Sequence, residues 1–186
     1  QDAVTVDGAS RVALAGVEIR NGVNGIIAVN GAHLSLSGVN VHTNTGPGIS
    51  VQTGSSAALT DVAASQNLFG LDVRNGSAVT VPGMLTAAGN RVFGINVNGG
   101  AFTLSHGTVT ATGNALGIQI ATGANAFLND SDSVINATNN FSTGLTVVSG
   151  AQLVSFGGTI NASGNPVAGV TVNSKAGLDL DAASQV

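Results

Sequence analysis

Few residues in this sequence could do chemistry, because its 186 residues include nine Asp and Glu, five Lys and Arg, three His and no Cys. Two of the acids, Asp130 and Asp132, lie close together in a polar segment. Carboxylate oxygens at this spacing can hold Ca²⁺. No third carboxylate is adjacent to them in the pattern. A solvated loop is therefore the favoured interpretation, with a Ca²⁺ site at these two residues as the alternative, and no cofactor is predicted.

The composition excludes several classes of protein. Hydrophobic residues make up 43% of the chain and charged residues 8%, the reverse of a disordered sequence. A disulfide scaffold needs cysteines, and a net charge of −4 provides no basic surface for nucleic acid or an anionic membrane. No apolar run approaches the roughly 18 residues of a membrane span. We therefore expect a folded chain without nucleic-acid binding or membrane insertion.

An internal sequence repeat defines the secondary-structure elements that position the charged residues. An apolar-x-apolar triplet, usually preceded by glycine, recurs eight times. The copies are Val4-Thr5-Val6, Ile27-Ala28-Val29, Ile49-Ser50-Val51, Leu71-Asp72-Val73, Ile95-Asn96-Val97, Ile118-Gln119-Ile120, Leu145-Thr146-Val147 and Val170-Thr171-Val172. The steps between their last residues are 23, 22, 22, 24, 23, 27 and 25 residues. A period in this range indicates a stacked repeat architecture.

Each repeat contains three short segments of alternating apolar and polar residues, which is the pattern of β-strands. The third segment ends in an asparagine at a constant offset. These residues are Asn44, Asn67, Asn90, Asn114, Asn140 and Asn165. Asparagine tolerates the left-handed backbone of a sharp corner, and stacked amides can donate and accept hydrogen bonds along a column. We interpret these six residues as a structural corner ladder.

Three-residue strands cannot bury a core alone, so the coils must stack with each strand paired to its counterparts above and below. The sequence therefore predicts an all-β parallel solenoid of about seven to eight coils. It is expected to form a single domain over residues 1–186, as a segment of a longer array. A column of Phe69, Phe93 and Leu116 is predicted to stack inside a wide corner.

Short strands in threes, glycine-led turns and an asparagine column together resemble the right-handed parallel β-helix, the superfold of pectate lyases. The resemblance covers essentially the whole chain and implies the right hand of the coil. The superfold includes lyases, polygalacturonases, phage tailspikes and the rods of secreted adhesins. Because one fold serves many functions, the resemblance implies no single activity, and the function must be inferred from the candidate site residues.

Family enzymes place their groove on the outer face of the first strands, and that face is nearly uncharged here. Its predicted outward residues are Thr5, Ala28, Ser50, Asp72, Asn96, Gln119, Thr146 and Thr171. A hydrolase needs two or three converging carboxylates, and a lyase needs bound Ca²⁺ with a base. Asp72 with Arg74 is the one groove candidate, and a surface ion pair is the favoured interpretation. No catalytic residue is assigned.

The three histidines fall at different offsets within their coils, so they cannot form a metal-binding column. His33, His42 and His106 are each interpreted as turn or surface residues. The sequence therefore favours a protein without enzymatic activity.

Three functions remain as hypotheses. The first is a non-enzymatic structural or adhesive rod of an extracellular or cell-surface protein, similar to bacterial β-helix repeat regions that lack cysteine. The second is a carbohydrate-active or carbohydrate-binding β-helix, against which stand the missing carboxylate cluster and the absence of Trp and Tyr for stacking on sugars. The third is an ice-binding solenoid, for which matched threonines are expected at Thr80 and Thr103 and at Thr86 and Thr110. Ala58, Ala63, Asn136 and Asn161 are expected to interrupt those two columns.

Two further expectations concern partners. Neither end of the array shows a capping helix or a charged edge strand, so self-association through the ends is expected, or continuation into further coils. A polysaccharide is the other possible partner, and the expected location is outside a bacterial cell.

Overall fold

The computed structural model describes all residues, 1–186, and consists of 23 short strands in three parallel sheets. The first sheet contains, in spatial order, β1 (Val4–Asp7), β4 (Ile26–Val29), β7 (Ile49–Val51), β10 (Phe69–Arg74), β13 (Phe93–Asn98), β16 (Leu116–Ala121), β19 (Thr143–Val147) and β22 (Ala168–Val172). The second contains β2 (Arg11–Ala15), β5 (His33–Ser37), β8 (Ser56–Thr60), β11 (Ala78–Val81), β14 (Ala101–Leu104), β17 (Asn125–Leu128), β20 (Gln152–Ser155) and β23 (Gly177–Leu180). The third contains β3 (Glu18–Arg20), β6 (Asn40–His42), β9 (Val62–Ser65), β12 (Met84–Ala88), β15 (Thr108–Thr112), β18 (Val134–Thr138) and β21 (Thr159–Asn161).

Every strand pairs with its counterpart in the neighbouring coil, on both sides except at the two ends of each sheet, so the predicted solenoid is confirmed. Consecutive strands along the chain lie in different sheets, and each sheet is completed by strands from different coils. The arrangement has eight coils with three strands in all but the last. No helix long and apolar enough to cross a membrane is found.

The core is one column of aliphatic side chains along the coil axis. It contains 39 buried residues. All three sheets contribute fully buried side chains, for example Leu71, Leu104 and Leu85. Strand alternation explains which residues enter the core, because successive side chains of a strand point to opposite faces of the sheet. Each fully buried aliphatic side chain contributes about 1.5–3 kcal/mol.

The second coil is out of the predicted register by one residue. Ile26 and Ala28 are fully buried there, and Ile27 pairs with Thr5 and Ser50 on the outer face. The prediction that Ala28 points outward is therefore wrong. The two adjacent isoleucines satisfy an apolar-x-apolar pattern in either register, and a slip of one residue exchanges the two faces of a strand. The structure selects the register that buries Ile26.

The asparagine column forms as predicted, but the conformational reason given for it is wrong. The left-handed residue at each corner is the one immediately before the asparagine. These residues are Thr43, Gln66, Gly89, Gly113, Asn139 and Gly164, with φ between 54° and 70°. None of the six asparagines of the column has a positive φ. Asparagine is therefore required at this position for its amide, and the preceding residue makes the corner.

The threonine columns have the predicted register and are as short as expected. Thr80 pairs with Thr103, and Thr86 pairs with Thr110. Ala58 and Ala63 precede them, while Phe127 and Asn136 follow them. Asn161 in turn pairs with Asn136. Each column of threonine is thus two coils long, which is too short for an extended threonine array.

Candidate functional site

The asparagine column is a continuous buried hydrogen-bond ladder. The backbone N–H of each column asparagine from Asn44 to Asn140 donates to the Oδ1 of the column asparagine one coil later. The Nδ2 group of Asn114 donates to the Ala87 carbonyl at 3.0 Å and to Asn140 Oδ1 at 3.0 Å. Asn44, Asn67, Asn90, Asn114 and Asn140 are at most 2% exposed. Their polar atoms are hydrogen-bonded inside the fold, so the ladder is structural.

The predicted groove residue Asp72 is buried beneath its arginine. Its side chain is 2% exposed, whereas that of Arg74 is 39% exposed. Arg74 Nε donates to the carboxylate at 2.8 Å, and Asn96 Nδ2 of the next coil donates to Asp72 Oδ1 at 2.8 Å. The predicted ion pair exists, but its acid is not at the surface. A carboxylate held by two donors and shielded from solvent is out of reach of a polysaccharide substrate.

Two phenylalanine rings line the same face beside this pair. The rings of Phe69 and Phe93 stack at 5.6 Å between centroids with 14° between their planes. The Arg74 guanidinium lies 5.7 Å from the Phe69 centroid, a cation–π distance. Both rings are half-buried, as is Leu116, and none of the three belongs to the core cluster. The predicted stack is therefore present but lies on the outside of the first sheet.

One buried polar atom on this face has no partner. Asn96 is 2% exposed, and its Oδ1 accepts no hydrogen bond in the protein. Asp72 fixes the orientation of the amide by accepting from Nδ2. Gln119 occupies the register position one coil after Asn96.

Removing the arginine is expected to cost about 2 kcal/mol of unfolding free energy. Arg74→Ala would leave the buried carboxylate of Asp72 without a cation, which is more costly than losing an exposed pair. The double variant Asp72→Asn/Arg74→Ala should recover at least half of that loss. Urea unfolding of the wild type, both single variants and the double variant measures the coupling.

A matched control is Arg20→Ala, which removes the exposed ion pair of Arg20 with Glu18. Its effect should stay within about 0.5 kcal/mol. Equal losses for Arg20→Ala and Arg74→Ala would contradict the buried-pair interpretation.

The histidines lie in three separate environments on the surface. His33 Nδ1 is 2.7 Å from Ser56 Oγ. His42 Nε2 is 2.8 Å from Glu18 Oε1, and this hydrogen bond, followed by the charge of Arg20, lowers the pKa of Glu18. His106 lies in the turn between β14 and β15, with φ of 53°. They share no column, as predicted.

The structure brings His106 to the acidic doublet, which the sequence analysis did not predict. Asp130 and Asp132 lie in the turn between β17 and β18, one coil later. His106 Nδ1 is 3.0 Å from Asp132 Oδ1, and its Nε2 is 3.6 Å from Asp130 Oδ2. The sequence signal was the separation, since the acids follow His106 by 24 and 26 residues, about one coil. The three residues form one cluster, hereafter the His106 cluster.

The hydrogen bond with Asp132, and then the charges of Asp130 and Asp132, raise the pKa of His106 above its ordinary value of 6.5. Burial raises the pKa of Asp130, but hydrogen bonds from Ser133 Oγ and the His106 N–H outweigh it and lower the pKa overall. Protonated His106 therefore strengthens the contact between the two turns. Because the folded pKa is the higher one, this contribution is complete below about pH 6.5 and is lost as the pH rises through the folded value.

Replacing Asp132 is expected to lower the pKa of His106, because the largest cause of its elevation is removed. The Asp132→Asn variant and the wild type are compared by NMR titration of the imidazole signals in buffer with a chelator. Backbone amide signals of the first coils, which are remote from Asp132, provide the internal control and should be identical in both proteins. An unchanged His106 titration would show that its contact with Asp132 does not persist in solution.

The architecture defines the class of this protein: a parallel β-solenoid with three sheets, a buried asparagine ladder and an almost uncharged outer surface. The chain matches the family model described as right handed beta helix region over residues 2–181. It belongs to that family, which confirms the predicted resemblance and the right hand of the coil. The comparisons with curated proteins and with solved structures found no match.

Proposed function

We propose that this protein is a non-enzymatic structural or adhesive rod of an extracellular or cell-surface bacterial protein. The observation that carries the proposal is the outer face of the first sheet, the usual groove of enzymes with this fold. One charged residue, Asp72, stands in its central column, and Arg74 and Asn96 occupy its oxygens. No second carboxylate lies beside it, since the register neighbours are Ser50 and Asn96.

The two surface hollows of the molecule support the same proposal. One is lined by Arg11, Val12, Ala13, His33, Leu34 and Ser35. The other lies near Ile160, Val170 and Val186. Neither contains Asp or Glu, so neither offers the paired acids of a glycosidase.

A rod function also fits the energetics of the stack. At about 4.8 Å per coil, eight coils extend the chain over roughly 38 Å. The coils are held together by three parallel sheets and by the six amides of the asparagine column. Local opening, which proteases require, must break several of these contacts together. The chain has no cysteine, so its stability rests on these contacts and not on disulfides.

Two assays test the proposed function. Incubation with acidic and neutral polysaccharides should release neither unsaturated uronides nor new reducing ends, and antibodies to the chain should label intact, unpermeabilised cells of the source organism. Catalytic depolymerisation that Asp72→Asn abolishes would overturn the non-enzymatic assignment. Labelling only after permeabilisation would overturn the location.

Carbohydrate binding is the second candidate, favoured by the aromatic pair beside a polar column on the first sheet. The geometry limits it, because Phe69 and Phe93 cover one another and Arg74 lies over Phe69. Sugars stack on free ring faces, and each of these rings covers one face of the other. Affinity electrophoresis through polysaccharide gels decides the question, since retardation removed by Phe93→Leu would favour this candidate over the rod.

A further inference from the structure

The His106 cluster joins two consecutive coils through three side chains that can ligate a metal. One ring nitrogen of His106 and one carboxylate oxygen from each of Asp130 and Asp132 all lie within 4.8 Å of one another. The histidine comes from one coil and both acids from the next. The sequence doublet offered two oxygens, and the stacking of coils adds a nitrogen.

One ligand of the cluster is fixed in place. Asp130 Oδ1 accepts hydrogen bonds from Ser133 Oγ at 2.6 Å and from the His106 backbone N–H at 2.9 Å. These contacts turn Asp130 Oδ2 toward the imidazole, and Ser105 Oγ donates a hydrogen bond to Oδ2 at 3.3 Å. The Asp130 side chain is 18% exposed. Oδ1 accepts two short hydrogen bonds and Oδ2 one longer one, so Oδ2 keeps a lone pair for a cation.

The other two ligands can adjust to a cation. The side chains of His106 and Asp132 are 68% and 67% exposed, so small rotations meet little packing resistance. Asp132 makes no hydrogen bond to backbone that such a rotation would break. The cluster therefore combines one oriented oxygen with two movable ligands.

The acids at this site have no arginine or lysine beside them, unlike the acids of the protein's other ion pairs. Glu18 and Asp72 each have an arginine in contact, whereas the salt bridges of Asp130 and Asp132 involve His106 alone. Two carboxylates therefore converge without a permanent cation. A bound divalent ion would supply the missing positive charge.

We propose that His106, Asp130 and Asp132 form a binding site for a divalent transition-metal ion, with Zn²⁺ as the representative. The imidazole decides the class of metal, because Ca²⁺ and Mg²⁺ take oxygen ligands, whereas imidazole nitrogen suits Zn²⁺, Ni²⁺ and Cu²⁺. Three protein ligands leave coordination positions to water, as in open zinc sites. The ion bridges the turn after β14 to the turn after β17. This site is independent of the rod function proposed above.

Calorimetric titration of the EDTA-treated, dialysed full chain with ZnCl₂ tests the site. We expect one saturable Zn²⁺ site per chain and at least tenfold weaker binding in His106→Asn and in Asp132→Asn. Asparagine is chosen at position 106 because it tolerates the positive φ of this turn, so the backbone is kept. The matched control His33→Asn removes another exposed histidine, whose side chain hydrogen-bonds Ser56 and no acidic residue, and it should bind as the wild type does.

A parallel titration with CaCl₂ tests the choice of metal and should show at least tenfold weaker binding than Zn²⁺. Circular dichroism of each variant establishes that the solenoid is retained. The proposal is overturned if the wild type shows no saturable Zn²⁺ binding, if His106→Asn binds Zn²⁺ as tightly as the wild type, or if Ca²⁺ binds at least as tightly as Zn²⁺.

Discussion

Asn114→Ala is expected to lower the free energy of unfolding by about 3 to 5 kcal/mol, which is a large fraction of the 5–15 kcal/mol typical of a whole domain. Asn114 Oδ1 accepts from the Asn90 backbone N–H at 2.8 Å and from Asn90 Nδ2 at 2.9 Å. Its Nδ2 donates to the Ala87 carbonyl. Alanine would leave the Asn90 N–H buried without its acceptor, at about 1–3 kcal/mol. It would also remove the side-chain hydrogen bonds to Asn90 Nδ2, the Ala87 carbonyl and Asn140 Oδ1, at about 0.5–1.5 kcal/mol each.

Urea unfolding followed by circular dichroism gives the size of this loss, and hydrogen exchange gives its location. The Asn90 amide should exchange faster by a larger factor than amides in coils remote from Asn114, because its acceptor is removed. Asn161→Ala is the matched control. Its amide donates to Asn136 Oδ1 on the exposed surface, so we expect a change within about 0.5 kcal/mol.

A loss below about 1 kcal/mol for Asn114→Ala, or an Asn90 amide that stays protected, would contradict the structural role of the ladder. Either result would mean that a water or a shifted backbone replaces the amide. The six-residue column would then be a consequence of the fold and would contribute little to its stability.

Gly94→Ala is the second substitution with a large expected effect, about 3 kcal/mol or more. A Cβ at this position would lie 2.6 Å from Asn114 Nδ2, 2.7 Å from the Gly117 carbonyl oxygen and 3.1 Å from Ala111 Cβ. Two of these neighbours are a ladder amide and a backbone atom, which cannot move without disturbing the next coil. Overpacking a tight interior costs about 1–3 kcal/mol, and the damaged ladder adds to it.

Thermal and urea unfolding of Gly94→Ala measure this effect. Gly123→Asn is the control, since a Cβ at Gly123 meets nothing within 4 Å and asparagine tolerates its φ of 68°. We expect a loss below about 1 kcal/mol there. Similar losses at Gly94 and Gly123 would show that backbone conformation, and not the approach of the next coil, determines where glycine is required.

Much of the fold could be predicted because its cause is local. Alternation in Leu71-Asp72-Val73 and its equivalents specifies a strand and its faces, and a nearly constant step places the equivalents one above another. The exception is informative. At Ile26 and Ile27 the local pattern fits both registers, and only pairing with Thr5 and Ser50 decides which isoleucine is buried.

The side chains with chemistry were predicted less completely, because their partners lie one coil away. Asp72 was expected at the surface, but burial depends on how Arg74 and Asn96 close over it. The Phe69 and Phe93 stack was expected inside, but its side of the sheet depends on the corner before each strand. In both cases the adjacent residues in the sequence do not determine whether the side chain is buried or on which side of the sheet it lies.

The sequence by itself determined the class of fold, the coil period, the number of coils and the position of the asparagine ladder. Each follows from residue types recurring at short range, where strand geometry leaves few alternatives. Only the tertiary structure decided that His106 meets Asp130 and Asp132. Coil lengths differ by a few residues, and the longest step, 27 residues, contains the two acids. Which turn residues face each other across coils is therefore fixed only when the coils are stacked.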